Sequence, residues 1–347
     1  MIRAAAFPLL VLMLTGAAPP EPPRWAPLPV HIGGRVAVAP EGGVDFGWPG
    51  VYIEGRFEGT AVRVRFAART DHIRVSIDGV ERAVFRAPGE VDTVIDGLPP
   101  GAHVVRVEKL TESQTGASRF IAFEAVGTPL APRPRMRRIE FIGDSFTVGY
   151  GNMSATTACT GEEVHDRTDT SQAFGPLTAR ALDADYRINA FSGFGMVRNY
   201  DGNVPGESLP FLYPRAIPGD AAPAAADAGW RPQTIVINLG GNDFSTALKP
   251  GEHWADTAAL EAAYLGRYTA FVEDLAARQP QARFILVGSD LFFAQVEQVA
   301  AGLETALRGR VETLRLTALD LGGCHGHPSL ADHRRVADLL TRAIDRD

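Results

Sequence analysis

The chain has 347 residues, 45% of them hydrophobic and 22% charged, with a formal net charge of −7. That length is more than one typical domain needs and is comfortable for two, each with its own core. No basic stripe appears, so nucleic acid is not an expected partner, and a mild acidic excess identifies no substrate.

The chain opens on the pattern of an export signal. Arg3 supplies a short positive region, Ala4–Leu14 an apolar run, and Thr15-Gly16-Ala17-Ala18 the small residues of a cleavage site. The run is too short to cross a bilayer, and no later segment is apolar enough to do so. Residues 1–18 are therefore expected to be removed and the protein to be secreted or periplasmic. Prolines crowd residues 19–30, which read as an irregular lead-in.

Residues 31–129 alternate with period two. Val62, Val64 and Phe66 are separated by Arg63 and Arg65, Ile73, Val75 and Ile77 by Arg74 and Ser76, and Val105 and Val107 by Arg106. Asp78-Gly79, Asp96-Gly97 and Pro99-Pro100-Gly101 supply turns. Short half-buried strands punctuated in this way predict an antiparallel β-sandwich domain of jelly-roll-like type. Residues 130–137, rich in Pro and Arg and without periodicity, read as a linker.

Over residues 138–347 the pattern changes to α/β, with a central parallel sheet. Strands are expected at Arg138–Ile142, Tyr186–Asn189, Thr234–Leu239, Arg283–Val287 and Val311–Leu316. Leu260, Tyr264, Tyr268, Phe271, Val272 and Leu275 form one apolar helical stripe that Pro280 ends. Further helices are expected over Phe293–Leu307 and Ser329–Ile344. The alanine-rich stretch Ala221–Ala228 reads as surface.

Three segments carry polar residues at expected strand ends, where open α/β sheets gather their ligands. Gly143-Asp144-Ser145 follows the first strand. There Ser145 is either a helix cap or a nucleophile whose own N–H lies at a helix start. Gly193 follows the second strand. Gly240-Gly241-Asn242-Asp243 follows the third, and the Asn242 amide can donate to an oxyanion. His327, just before Pro328 and the last helix, stands where a fixed general base would be useful. Cys159 and Cys324 are the only cysteines. In an exported protein they form either one disulfide or two separate buried thiols. No cysteine or histidine cluster suggests a metal site, and no cofactor is expected.

Taken together these segments resemble the SGNH hydrolases: Gly143-Asp144-Ser145, Gly193, Gly240-Gly241-Asn242-Asp243 and His327 follow the order of that superfamily's blocks. The β-sandwich before them, and the strings 143–152, 168–176, 196–200 and 241–245, are similar to carbohydrate esterase family 2. The resemblance implies Ser145 as nucleophile and His327 as general base. It implies an oxyanion hole from the N–H groups of Ser145 and Gly193 and the Asn242 side chain. It also implies removal of O-acetyl groups from a polysaccharide such as acetylated xylan or glucomannan, with Tyr200 and Trp254 as candidate sugar platforms. Another acyl ester, or non-catalytic glycan binding, is the alternative. One departure stands out. The superfamily's Asp would fall at Cys324 or His325, and neither is a carboxylate. The resemblance to family members that lack this Asp implies a Ser–His dyad with a backbone carbonyl orienting His327; a more distant Asp or Glu reaching in is the alternative. A Cys159–Cys324 disulfide is expected as well, because both loops should border one site.

Overall fold

The structure, a computed structural model, describes residues 1, 24–221 and 229–346. The expected export signal and residues 222–228 of the alanine-rich stretch lie outside the described residues.

The first unit contains β1 (Trp25–Pro27), β2 (Val30–Gly33), β3 (Ala37–Val38), β4 (Val44–Phe46), β5 (Tyr52–Ala68), β6 (His72–Ile77), β7 (Val80–Arg86), β8 (Gly89–Ile95), β9 (Gly101–Lys109) and β10 (Ser118–Leu130). Every pairing among them is antiparallel. The long β5 organises the rest. Its first half pairs with β2 and β9 and its second half with β8, while β10 runs along much of it. The period-two residues behave as their alternation dictates. Val62, Val64, Phe66, Ile73, Val75, Ile77, Val105 and Val107 are fully buried, whereas Arg63 and Arg65 are only half-buried. Each such apolar side chain removed from water contributes roughly 1.5–3 kcal/mol.

The second unit is a three-layer α/β sandwich. Its strands are β11 (Arg137–Gly143), β12 (Ala184–Ala190), β13 (Thr234–Asn238), β14 (Arg283–Ser289) and β15 (Val311–Leu316). All pair parallel, in the order β12-β11-β13-β14-β15. Its helices are α1 (Ser145–Val148), α2 (Gly161–Asp166), α3 (Phe174–Ala181), α4 (Leu209–Leu212), α5 (Gly241–Phe244), α6 (Thr257–Arg278), α7 (Phe293–Leu303) and α8 (Leu330–Ile344). Successive strand residues feed opposite faces. Phe141, Val236 and Ile285 join Phe174 of α3 and Leu340 of α8 in one core, while Ile142, Ile237 and Leu286 join Tyr264 of α6 and Val296 of α7 in the other. The expected apolar stripe on α6 is buried along its length, and Asp256 caps the helix by accepting the Ala259 N–H. The helix expected to reach Leu307 ends at Leu303.

This strand order determines where a site can form. The chain leaves β11 for β12 on one side and returns to β13 on the other, so the crevice at the carboxyl end of β11 is the topological switch point. The two units are joined by polar contacts. Tyr52 Oη donates to Asp185 (2.8 Å), Arg74 Nη2 to Asp169 (2.7 Å), Trp48 Nε1 to the Arg215 carbonyl (3.0 Å), and the Thr170 N–H to the Leu110 carbonyl (2.8 Å). Among the described residues no helix is long and apolar enough to cross a membrane.

Candidate active site

Ser145 opens α1 immediately after β11, at the switch point. The Asp144 carboxylate caps this turn by accepting the Phe146 N–H (3.1 Å), and Gly149 closes it in the left-handed conformation. Ser145 is nearly buried, at 7% exposure, and its Oγ lies 2.8 Å from His327 Nε2.

His327 is held by its own loop. Its Nδ1 lies 2.9 Å from the Cys324 carbonyl. A carbonyl only accepts, so Nδ1 carries the proton and Nε2 is left to accept from the Ser145 hydroxyl. No carboxylate contacts the outer nitrogen among the described residues. Burial pushes the imidazole down to about 4, so it is neutral at neutral pH. The loop is anchored at its far end by a capping box. Ser329 Oγ accepts the Asp332 N–H, and the Asp332 carboxylate accepts the N–H groups of Ser329, Asp320 and Leu321.

His325 does not face His327 Nδ1. Its Nε2 donates to the Cys159 carbonyl (2.7 Å), and its Nδ1 accepts from Tyr150 Oη (3.0 Å). The Tyr150 ring in turn packs against His327, with centroids 4.3 Å apart. A Cys159–Cys324 disulfide spans the two loops. Gly151 makes this approach possible. Its φ is +55°, and a Cβ there would sit 2.4 Å from the Cys324 Cβ.

Gly193 follows β12 at φ +84°. Its N–H and that of Ser145 meet no acceptor among the described residues, which leaves two backbone donors available beside the Ser145 hydroxyl. Asn242, in α5 after β13, donates from Nδ2 to Asp144 Oδ2 (3.1 Å) and to the Phe194 carbonyl (3.0 Å). The carbonyl partner fixes which end of the amide is nitrogen. Burial pushes the Asp144 carboxyl up to about 7.

Ser145, Gly193, Asn242 and His327 all line one cleft of about 530 Å³, and Tyr200, 52% exposed, lines it as well. Trp254 does not. It sits before α6 and packs edge-on against His253. Cleft residues to which the sequence assigned no role include Phe146, Tyr150, Leu291, Phe292 and, from the first unit, Gln114.

A hydroxyl bonded to a neutral imidazole, with two free N–H groups at the switch point of a parallel sheet, defines a serine ester hydrolase. Comparison with known proteins narrows the class. Residues 32–134 match the carbohydrate esterase 2 N-terminal family and residues 141–342 the GDSL-like lipase/acylhydrolase family. The chain is 44% identical over 324 residues, 90% of each chain, to an acetylxylan esterase/glucomannan deacetylase of Cellvibrio japonicus. Among solved structures, a carbohydrate esterase with divergent catalytic and non-catalytic binding functions in its active site superposes with a TM-score of 0.87. It is 43% identical, with 92% of this chain and 98% of that one covered. A family two carbohydrate esterase from Clostridium thermocellum in complex with cellohexaose gives 0.79 at 27% identity, covering 91% and 98%. The chain belongs to carbohydrate esterase family 2, within the GDSL-like acylhydrolases.

Proposed function

We propose that this esterase is exported and removes O-acetyl groups from a polysaccharide such as acetylated xylan or glucomannan, through an acetyl group carried on Ser145. The observation that carries the reading is the Ser145 Oγ–His327 Nε2 contact at 2.8 Å, with Nδ1 tied to a backbone carbonyl. The activity of the Cellvibrio relative supports the substrate class. A disulfide beside the site supports an oxidising compartment.

In the proposed sequence His327 Nε2 takes the Ser145 proton as Oγ attacks the acetyl carbonyl. The negative charge on the former carbonyl oxygen is met by the N–H groups of Ser145 and Gly193 and by the Asn242 amide, which shares a proton already directed at Asp144 or Phe194. Collapse breaks the bond to the sugar oxygen, and His327 passes that oxygen the proton. Water then attacks the acetyl-serine, His327 takes the water's proton and returns it to Ser145, and acetate leaves. The Cys324 carbonyl stands where a triad would have its carboxylate: it orients the ring and accepts from Nδ1 throughout. Tyr200 serves as an apolar platform for the sugar at the cleft mouth.

The test is acetate release from a panel of acetylated xylan, acetylated glucomannan and long-chain 4-nitrophenyl esters. Release from the polysaccharides at rates well above the long-chain esters is expected. The reverse order would overturn the substrate class.

A further inference from the structure

The loop between β9 and β10 of the first unit reaches the cleft and grips one particular peptide of the second. Gln114 Nε2 donates to the Ser192 carbonyl at 3.0 Å. Two residues earlier, Glu112 Oε1 accepts the Ser192 N–H at 2.7 Å. The Ser192 carbonyl and the Gly193 N–H belong to the same planar peptide group. A donor that fixes the carbonyl therefore fixes the direction of the N–H. Hydrogen bonding at the oxygen also polarises the amide and strengthens its N–H as a donor.

We propose that Gln114 and Glu112 are positioning residues for the oxyanion hole: through Ser192 the antiparallel unit aims the Gly193 N–H at the reacting oxygen. The inference rests on the reading of the Gly193 N–H as an oxyanion donor.

Two further features fit this role. The loop is built to be rigid at its root. The buried Asp71 carboxylate receives Lys109 Nζ and the hydroxyls of Ser113 (3.3 Å) and Ser118 (2.6 Å), and the Leu110 carbonyl accepts the Thr170 N–H. Glu112 itself forms no ion pair among the described residues. Burial pushes its carboxyl up. The hydrogen bond that its carboxyl accepts is that of the Ser192 N–H. Gln114 is exposed, so it can be replaced without opening a core.

The experiment measures kcat, KM and Tm with 4-nitrophenyl acetate for the wild type and for Ser145→Ala, Gln114→Ala, Gln114→Glu, Glu112→Ala and Glu112→Gln. Gln114→Ala should lower kcat about 3- to 10-fold, the loss typical of one hydrogen bond, with KM and Tm nearly unchanged. Gln114→Glu keeps the length and shape but offers no donor, so it should fall at least as far; a packing role would spare it. Glu112→Gln keeps an acceptor for the Ser192 N–H and should retain most of the activity that Glu112→Ala loses. Wild-type kcat in both Gln114 variants would overturn the proposal, and so would a raised KM at unchanged kcat, which would make Gln114 a substrate contact. If Glu112→Ala fails to fold, the Gln114 pair still decides the matter. An inactive wild type, or a Ser145→Ala variant as active as the wild type, would instead overturn the reading of the site itself.

Discussion

Breaking the Cys159–Cys324 bond should cost both stability and catalysis, and for separate reasons. The bond joins residues 165 apart in sequence. In the chain-entropy model a loop of that size removes about 5 kcal/mol worth of freedom from the unfolded chain at 25 °C. This is an upper figure, because real denatured chains are already compact. It is nonetheless a large share of the roughly 5–15 kcal/mol that typical domains possess. The catalytic cost comes from the carbonyls flanking the bond. That of Cys324 holds His327 Nδ1 and that of Cys159 holds His325 Nε2. Loosening the bridge frees both loops, so His327 should spend less time aligned with Ser145. The perturbation is Cys159→Ala with Cys324→Ala, compared with the oxidised wild type. Urea unfolding of the α/β unit, followed by near-UV circular dichroism, should show a loss of several kcal/mol. Under native conditions kcat on 4-nitrophenyl acetate should fall with little change in KM. A stability loss below about 1 kcal/mol together with an unchanged kcat would refute the reasoning.

Other perturbations separate the parts of the site. Asn242→Ala should lower kcat by roughly 10² to 10³-fold with little effect on KM; a raised KM at constant kcat would reduce Asn242 to a substrate contact. The acid limb of kcat/KM should lie near 4, where burial places His327. The sign is that of a general base: activity is full above this value and is lost as pH falls through it. Asp144, pushed up to about 7, titrates above that limb, so a limb near 4 that survives in Asp144→Asn belongs to His327; a limb near 6.5 in that variant would contradict the buried, neutral imidazole. His325→Asp looks, from the superfamily pattern alone, like a restoration of the missing carboxylate that should hold or raise activity. The contacts of His325 with Cys159 and Tyr150 predict a several-fold loss of kcat instead, and a gain would show that Asp at 325 reaches His327.

Much of this arrangement was legible because it obeys local rules. Period-two alternation marked Val62, Val64 and Phe66 as one buried face of β5, and the stripe from Leu260 to Leu275 marked the inner face of α6. Ser145, Gly193 and Asn242 could be paired with strand ends because parallel sheets place their loops together. The resemblance to family members without that Asp implied a backbone carbonyl beside His327, and the Cys324 carbonyl lies there. What the sequence hid depends on contacts distant along the chain. Gln114 and Glu112 reach Ser192 across the boundary between the two units, and no periodicity within β9 or β10 announces that. Tyr150 reads as an ordinary residue after a short helix, until folding stacks its ring against His327. Trp254 failed as a cleft residue for the converse reason. An aromatic on a loop has no pattern that says which way it turns, and here it packs on its neighbour His253.

The central claim is that Ser145, activated by His327, carries the acetyl group. The most direct measurement is acetate release from acetylated xylan by the wild type and by Ser145→Ala, with circular dichroism to verify that the variant is folded. The Ser145 side chain is small and lines the cleft, so its loss should leave the fold intact. The wild type should release acetate, and the variant should retain less than about 1% of that rate, no more than binding and the remaining oxyanion donors supply. A folded Ser145→Ala that still releases acetate at a tenth of the wild-type rate or faster would place the nucleophile elsewhere.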